Sequence, residues 1–311
     1  MRIVIAIGGN SLIRTKDENR IVDQYRQVLQ TVDSMKDLLT GDNEIVITHG
    51  NGPQVGFLLQ MQEKAAGVPQ MPIDYCVANT QGGIGYQIQC AIQNELLSTS
   101  SEKKVASIVT QCLVDEMDPA FQRPSKPIGS FFSKEEIERL ANEYGWQYME
   151  DSGRGYRRVV ASPKPTLILE KNIIHTLLEN NTIVIAAGGG GIPLVRHDSQ
   201  YSGVEAVIDK DFASSLLAQE IEADLLIIST GVPYVSLHFE TPSEQPLRDV
   251  SVDTMKQYLS QNHFGKGSME PKIIAGIQFT ENSKKPTIIT SPENIQLALE
   301  GKTGTKILPQ S

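Results

Sequence analysis

Two stretches of the chain place groups suited to phosphate at the ends of adjoining elements. The apolar run Ile183 to Ala187 ends in four glycines, Gly188 to Gly191, and Ala206-Val-Ile-Asp-Lys-Asp211 opens an apolar helix. A buried strand that ends in glycines lets backbone N–H groups approach an anion, and charges at the next helix start can then act on it. Four glycines alone describe a common surface loop, and Asp209-Lys210-Asp211 alone describes a solvated helix start. Together they mark Gly188 and Gly189 as part of a phosphate-binding turn. Two more glycine turns follow apolar runs, Gly8-Gly9-Asn10 and Gly50-Asn51-Gly52. Four lysines stand in unusual contexts: Lys126 and Lys164, each followed by proline, Lys210 between two aspartates, and Lys272 after Pro271. Phosphoryl transfer needs alignment and cations around the moving group rather than covalent help, so kinase chemistry fits this set. Lys164 reads as a solvated surface charge; Lys210 and Lys272 do not.

These turns require elements that hold them at one edge. Arg2 to Ile7 is a short β-branched apolar run followed by Gly8-Gly9-Asn10, which predicts a strand and a tight turn. Apolar residues at 21, 25, 28, 29, 32, 35 and 39 recur at helical spacing. Glu44 to Thr48 predicts a second strand, and Pro53 suits the first turn of the helix that follows it. A glycine-interrupted helix from Asp74 to Leu97 and a strand from Val105 to Thr110 complete a third unit. Strands alternating with helices argue for a parallel sheet covered on both faces, in which strand ends line one crevice.

The rhythm breaks between 118 and 165, where Pro119, Pro124, Pro127, Pro163 and Pro165 flank a helical stretch from Ser133 to Tyr144. This segment predicts an inserted lid subdomain within a single domain spanning 1–311. Beyond it the pattern predicts a helix from Leu167 to Leu178, the strand at Ile183, a helix from Phe212 to Ile221 and a strand from Asp224 to Ser229. A short strand from Tyr234 to Phe239, a helix from Val252 to Leu259, a helix after Lys272, and strands at 286–290 and 304–308 complete the chain.

Two familiar nucleotide motifs fail. Gly301-Lys302-Thr303 resembles the end of a P-loop, but the partner glycine would fall on Gln296. The last glycine of Gly50-Asn-Gly52-Pro-Gln-Val-Gly56 comes one residue late for a dinucleotide fingerprint, and no strand ending in an acidic residue follows at the required distance.

Composition narrows the class further. The chain has 311 residues, 40% hydrophobic and 21% charged, and no apolar run approaches the roughly 18 residues that span a bilayer. A balance of 28 basic against 37 acidic residues, net charge −9, opposes nucleic-acid binding, so an anionic substrate must be met by local lysines. Met1 to Ile7 is too short for a signal-peptide core, which points to the cytoplasm. Cys76, Cys90 and Cys112 have neither metal spacing nor a nearby histidine and are expected to be buried thiols.

The turns Gly8-Gly9-Asn10, Thr48-His-Gly-Asn-Gly-Pro-Gln-Val-Gly56 and Gly188-Gly-Gly-Gly-Ile-Pro193, with Ala206-Val-Ile-Asp-Lys-Asp211, resemble the amino acid kinase superfamily. Ser125-Lys-Pro-Ile-Gly-Ser-Phe-Phe132, Asp151 to Pro163 and Gly267-Ser-Met-Glu-Pro-Lys272 resemble carbamate kinase more narrowly, and the likeness covers nearly the whole chain. The resemblance implies a three-layer αβα sandwich with a mostly parallel central sheet and a homodimer. It also implies reversible phosphoryl transfer between ATP and carbamate, giving ADP and carbamoyl phosphate, with Mg²⁺ and no direct protein ligand to the metal. Carried onto this sequence, it makes Lys210 and Lys272 stabilisers of the phosphoryl group, Asp211 the residue that positions them, and Lys126 a group reaching in from the insert. Gly8, Gly9, Asn10, Gly50, Asn51 and Gly52 would hold phosphoryl and carbamate oxygens, and Ser229, Thr230, Tyr234, Met269 and Lys272 would lie at the nucleotide. One departure is Thr230-Gly231-Val232-Pro233, where the superfamily often reads Thr-Asp-Val, which removes a carboxylate near the nucleotide. Two alternatives remain open on residues alone: a kinase of another small carboxylate, and a nonenzymatic nucleotide sensor, against which the presence of all three lysines argues.

Overall fold

The structure, a computed structural model, describes residues 1–8, 20–65, 67, 69–151 and 153–310. Gly9 and Asn10 lie outside the described residues. Helices and strands alternate through the first third: β1 Arg2–Ile7, α1 Ile21–Asp33, α2 Lys36–Thr40, β2 Glu44–His49, α3 Gly52–Lys64, α4 Ile73–Ser98 and β3 Lys104–Ser107. The middle holds β4 Gln111–Val114, α5 Pro119–Gln122, β5 Lys126–Phe132, α6 Lys134–Tyr144, β6 Gln147–Glu150, β7 Tyr156–Val160, β8 Pro165–Ile168 and α7 Lys171–Glu179. Then come β9 Thr182–Ile185, β10 Ile192–His197, β11 Gln200–Gly203, α8 Lys210–Glu220, β12 Leu225–Ser229, β13 Ser236–Leu237, β14 Gln245–Pro246 and β15 Asp249–Ser251. The chain closes with α9 Val252–Ser260, α10 Met269–Ser283, β16 Thr287–Thr290, α11 Ile295–Leu299 and β17 Thr305–Leu308.

Eight strands form the central sheet in the order β15-β17-β16-β12-β1-β2-β9-β3, parallel throughout except for β16 against β17. Period-two alternation in the apolar runs supplies both faces. Ile3, Ile5, Ile45, Ile47, Ile183, Ile185, Leu225 and Ile227 point to one side, where α1, α2, α4 and α11 cover them. Val4, Ala6, Val46, Val184, Leu226 and Ile228 point to the other, beneath α7, α8, α9 and α10. Each fully buried isoleucine or leucine in these layers contributes about 1.5–3 kcal/mol, so the two cores fix the strand register firmly. This is the mostly parallel αβα sandwich that the sequence implies.

A separate three-stranded sheet, β5-β7-β6, carries α6 and meets the body at α3 and α4 through Ile128, Val160, Leu59 and Cys76. Ser133 caps α6 in a reciprocal box with Glu136, so this helix is locally specified. The departing piece spans 126–160; the arms at either side, β4 and β8, pair with each other in a second small sheet with β10 and β11.

Three boundaries differ from the sequence reading. The strand expected to run to Thr110 ends at Ser107, because the Gln81 side chain takes up the backbone N–H and carbonyl of Thr110. The helix expected from Leu167 begins at Lys171, since Leu167 pairs with Leu113 across β8 and β4; a short apolar run suits either element. The strand expected over Tyr234 to Phe239 reduces to Ser236–Leu237. Cys76 and Cys112 are buried, but Cys90 is half-exposed, its thiol against the Tyr25 hydroxyl.

Candidate active site

Parallel pairing of β12, β1, β2 and β9 puts Ser229, Gly8, Gly50 and the glycine turn after Ile185 at one edge of the sheet. A cavity of about 360 Å³ opens there, lined by Gly8, Gly50, Asn51, Gly52, Lys126, Gly189, Asp209, Lys210, Asp211, Ser229, Thr230, Gly231, Gly267, Ser268 and Lys272, among others. Three helices begin at it: α3 at Gly52, α8 at Lys210 and α10 at Met269. Unpaired N–H groups and the dipoles of these first turns favour an anion.

Asp211 is the centre of the charge arrangement. It is 3% exposed, and its two oxygens accept from different lysines, Lys210 Nζ at 2.6 Å and Lys272 Nζ at 2.8 Å. Burial works against its charge, but the two ammonium groups outweigh that and hold its carboxyl below the usual range. Burial also pushes the Lys210 ammonium down, and nearby Lys272 pushes the same way against the attraction of Asp211. One carboxylate between two cations leaves a net positive charge facing the cavity. Asp209 caps α8 through the Asp211 N–H and lies 3.5 Å from Lys126 Nζ, so it links the small sheet to this cluster. The start of α8 is braced from behind: Thr48 donates to Ser214 at 2.6 Å, and Ser214 donates to the Lys210 carbonyl at 2.6 Å.

The glycine turn is held by close packing. Gly189 has φ +66, and a Cβ there would collide with the Asn51 side chain; Gly190 has φ +91, and a Cβ would collide with the Ile208 carbonyl. Asn51 in turn donates to the Thr80 hydroxyl at 2.8 Å. His49 lies wholly inside, its Nδ1 donating to the Gly50 carbonyl at 3.0 Å, which assigns the neutral Nδ1–H tautomer. Burial pushes the His49 imidazole down to about 4.

That shift sets an acid limb of stability. An imidazole with a folded pKa near 4 and an unfolded pKa of 6.5 is neutral in both states above pH 7, and takes up a proton preferentially in the unfolded chain between those values. Stability therefore falls as pH drops from 6.5 towards 4, by about 2 kcal/mol between pH 7 and 5 for this group alone. Urea unfolding at the two pH values should show this loss, reduced in His49→Gln. An equal loss in both proteins would remove His49 as its source.

The predicted residues divide clearly. Lys126, Lys210, Asp211, Lys272, Gly8, Gly50, Asn51, Gly52, Gly189, Ser229 and Thr230 share the cavity lining. Gly188 sits behind it, against His49 and Gln81. Tyr234 does not line it; its ring stacks under Arg248 at 5.5 Å and its hydroxyl meets the Lys302 carbonyl at 3.5 Å. Met269 packs on the α8–α10 core rather than lining the cavity. Lys164 is exposed, as expected of a surface charge. Sequence reasoning missed Asp209 as a partner of Lys126, and missed His49, Thr80 and Gln81 as the buried polar frame. The signal for the last two was present: polar residues on the face of α4 that also buries Val77, Ile84 and Ile88.

The amino acid kinase family model matches residues 1–291. A carbamate kinase-like protein, YahI, of Escherichia coli is 49% identical over 98% of each chain. The carbamate kinase of Pyrococcus furiosus is 47% identical over 99% of each. In the solved structures, carbamate kinase from Giardia lamblia bound to AMP-PNP superposes with a TM-score of 0.94 at 39% identity, over 99% of this chain and 98% of that one. With the lysine–aspartate–lysine cluster set among the strand-end glycines, these likenesses place the chain: it belongs to the amino acid kinase family and, within it, to the carbamate kinases.

Proposed function

We infer that the protein transfers a phosphoryl group reversibly between ATP and carbamate, ATP and carbamate giving ADP and carbamoyl phosphate. The observation that carries this reading is Asp211 holding the Lys210 and Lys272 ammonium groups at 2.6 and 2.8 Å in a cavity lined by strand-end glycines. Such a pair of preset cations suits charge that shifts across phosphoryl oxygens and the bridging oxygen. Gly8, Asn51 and Gly52, with Gly9 and Asn10, hold the phosphoryl and carbamate oxygens through backbone N–H groups, while Gly50, whose N–H is taken by the Ile7 carbonyl at 3.1 Å, lines the cavity beside them. A Cβ on Gly52 would meet no protein atom within 4 Å, so that glycine leaves room for a bound group. Ser229, Thr230 and Lys272, which line the cavity, serve the nucleotide side. The carboxylates lining the cavity, Asp209 and Asp211, are engaged by lysines and by a backbone N–H, and no acidic, histidine or cysteine cluster suited to a metal occurs among the described residues. Bound together with the nucleotide, Mg²⁺ would supply neutralisation of charge on its phosphates. The test is ATP consumption that depends on carbamate, formed from ammonia and bicarbonate, with carbamoyl phosphate identified by phosphorus NMR. Consumption independent of carbamate would contradict the reading.

The small sheet over 126–160 acts as a lid that delivers Lys126 and excludes water from the acyl phosphate. Its seam with the body supports this: a cavity of about 280 Å³ lies there, lined by residues including Leu59, Ile128, Phe132 and Trp146, and the polar ties across it include Ser130 to Glu63 at 2.7 Å and Arg158 to Glu205. Trp146 is the chain's single tryptophan, so its fluorescence reports on the seam. Saturating ADP with carbamoyl phosphate should change that fluorescence, and Lys126→Ala should lower kcat while ADP affinity barely moves. Unaltered turnover in the variant would remove Lys126 from the mechanism.

The protein acts as a homodimer in the cytoplasm. Tyr75, Tyr86 and Leu97 stand 57%, 70% and 77% exposed along one side of α4, beside Gly82 and Gly83, which allow close approach of a second copy. Sedimentation at the 34.2 kDa monomer mass would contradict this. The three cysteines are all unpaired, which suits a reducing compartment, and among the described residues no helix is long and apolar enough to cross a membrane. Fractionation that finds the protein outside the cytoplasm would contradict the placement.

A further inference from the structure

The turn from Ala187 to Gly191 is held in a conformation that most residues avoid. Ala187 has φ +50, Gly189 +66, Gly190 +91 and Gly191 +87. A non-glycine residue held in the left-handed region costs about 1–3 kcal/mol and persists only where its surroundings over-determine it. Much of what surrounds this turn traces to one side chain. Gln81, 3% exposed on the inner face of α4, donates from Nε2 to the Gly188 carbonyl at 2.9 Å and to the Thr110 carbonyl at 3.0 Å. Its Oε1 accepts the Thr110 N–H at 2.8 Å. Both amide hydrogens and the oxygen are thus committed. Thr110, fixed in this way, accepts the Ala187 N–H on its hydroxyl at 2.9 Å. The amide therefore grips the turn twice, directly at Gly188 and through Thr110 at Ala187. Between those grips and the cavity stands Gly189, the member of the turn that lines it.

We propose that Gln81 is a positioning residue for phosphoryl transfer: its amide sets where the Gly189 backbone stands relative to the reacting group, without touching that group. This rests on the reading of the cavity as the phosphoryl-transfer site. If the amide is lost, each carbonyl keeps one backbone donor, the Gly191 N–H at Gly188 and the Ile192 N–H at Thr110, but the tie of the turn to α4 is gone, and a strained turn released at one end relaxes towards ordinary φ values. Movement of the order of 1 Å at such a turn lowers turnover by about 10²-fold, while a nucleotide held at Ser229 and Thr230 is little affected.

The test uses three variants. Gln81→Met removes all three hydrogen bonds while keeping the length of the side chain. Gln81→Glu keeps the acceptor for the Thr110 N–H but, when ionised, turns a carboxylate on two carbonyls. Thr110→Val keeps shape and removes the hydroxyl that receives the Ala187 N–H, and serves if the Gln81 variants fold poorly. For each, kcat and KM with carbamoyl phosphate, the ADP dissociation constant, the melting temperature and amide hydrogen exchange of the 186–191 segment are measured. The expected result is a fall in kcat of about 10- to 100-fold with ADP affinity within a few-fold, and faster exchange in the segment. In Gln81→Glu the activity relative to the unmodified protein should also rise as pH falls from 8 to 6, because the protonated carboxyl regains a donor, whereas Gln81→Met should show no such rise. A lowered melting temperature with kcat per folded molecule retained, or unchanged exchange in the segment, would overturn the proposal. Exchange is read without turnover, so failure of the unmodified protein to make ATP from carbamoyl phosphate would count against the proposed reaction alone.

Discussion

Lys210→Met and Lys272→Met should each lower kcat by about 10²–10³, equivalent to 3–4 kcal/mol of lost transition-state stabilisation, with no more than a several-fold change in the ADP dissociation constant. The expectation follows from where the two ammonium groups stand. Each is fixed on one oxygen of a buried carboxylate at a helix start, so neither must be reorganised as charge shifts from the donor to the acceptor oxygen. Methionine keeps most of the aliphatic stem and removes the charge, so packing survives better than with alanine. Equal losses in kcat and ADP affinity would mean that the lysines bind ground state and transition state alike. Lys210 should be the more sensitive of the two to its surroundings, because burial already works against its charge.

Asp211→Asn should be damaging in a second way. The substitution leaves two buried ammonium groups facing each other across a neutral amide, and breaking one member of a buried charge cluster typically costs about 3–5 kcal/mol. Both activity and folding stability should fall, the activity by at least as much as for one lysine variant, since both cations lose their anchor at once. Denaturant unfolding checks the stability loss. Restoring charge balance supplies the sharper control: Asp211→Asn combined with Lys210→Met should regain stability relative to Asp211→Asn alone, while activity stays low. If the double variant were no more stable than the single, charge repulsion would not be the source of the loss.

Much of the fold is legible in the residues because the driving pattern is simple. Runs such as Ile3 to Ile7 and Ile45 to Ile47 are apolar at every position, and a strand buried on both faces has that signature. Glycine turns at the ends of those runs then fall on one edge by topology alone, which is why Gly8, Gly50 and Gly189 meet. Lys210 and Asp211 are visible as a charged pair opening an apolar helix. Their union with Lys272, 61 residues away from Asp211, depends on α8 packing against α10, which no local pattern specifies. The polar frame is hidden for a different reason. Thr80 and Gln81 sit in a long apolar helix where a single-residue reading sees only an interruption, and their partners Asn51, Thr110 and Gly188 are 29 to 107 residues away. Boundaries failed where a side chain replaced a backbone partner, as Gln81 does at Thr110, or where three apolar residues in a row at Leu167 suit a strand and a helix equally. Tyr234 and Met269, assigned by resemblance to the nucleotide, stand away from the cavity lining, since Tyr234 turns to Arg248 and Met269 turns to the core.

The most direct measurement of the central claim is ATP formation from ADP and an acyl phosphate, coupled to an ATP-dependent indicator reaction, with carbamoyl phosphate, acetyl phosphate and N-acetylglutamyl phosphate compared side by side in the unmodified protein and in Lys272→Met. The account predicts ATP from carbamoyl phosphate, far less from the other two, and a loss of about 10²–10³ in the variant. Equal or better use of another acyl phosphate, or a variant that turns over carbamoyl phosphate as fast as the unmodified protein, would contradict it.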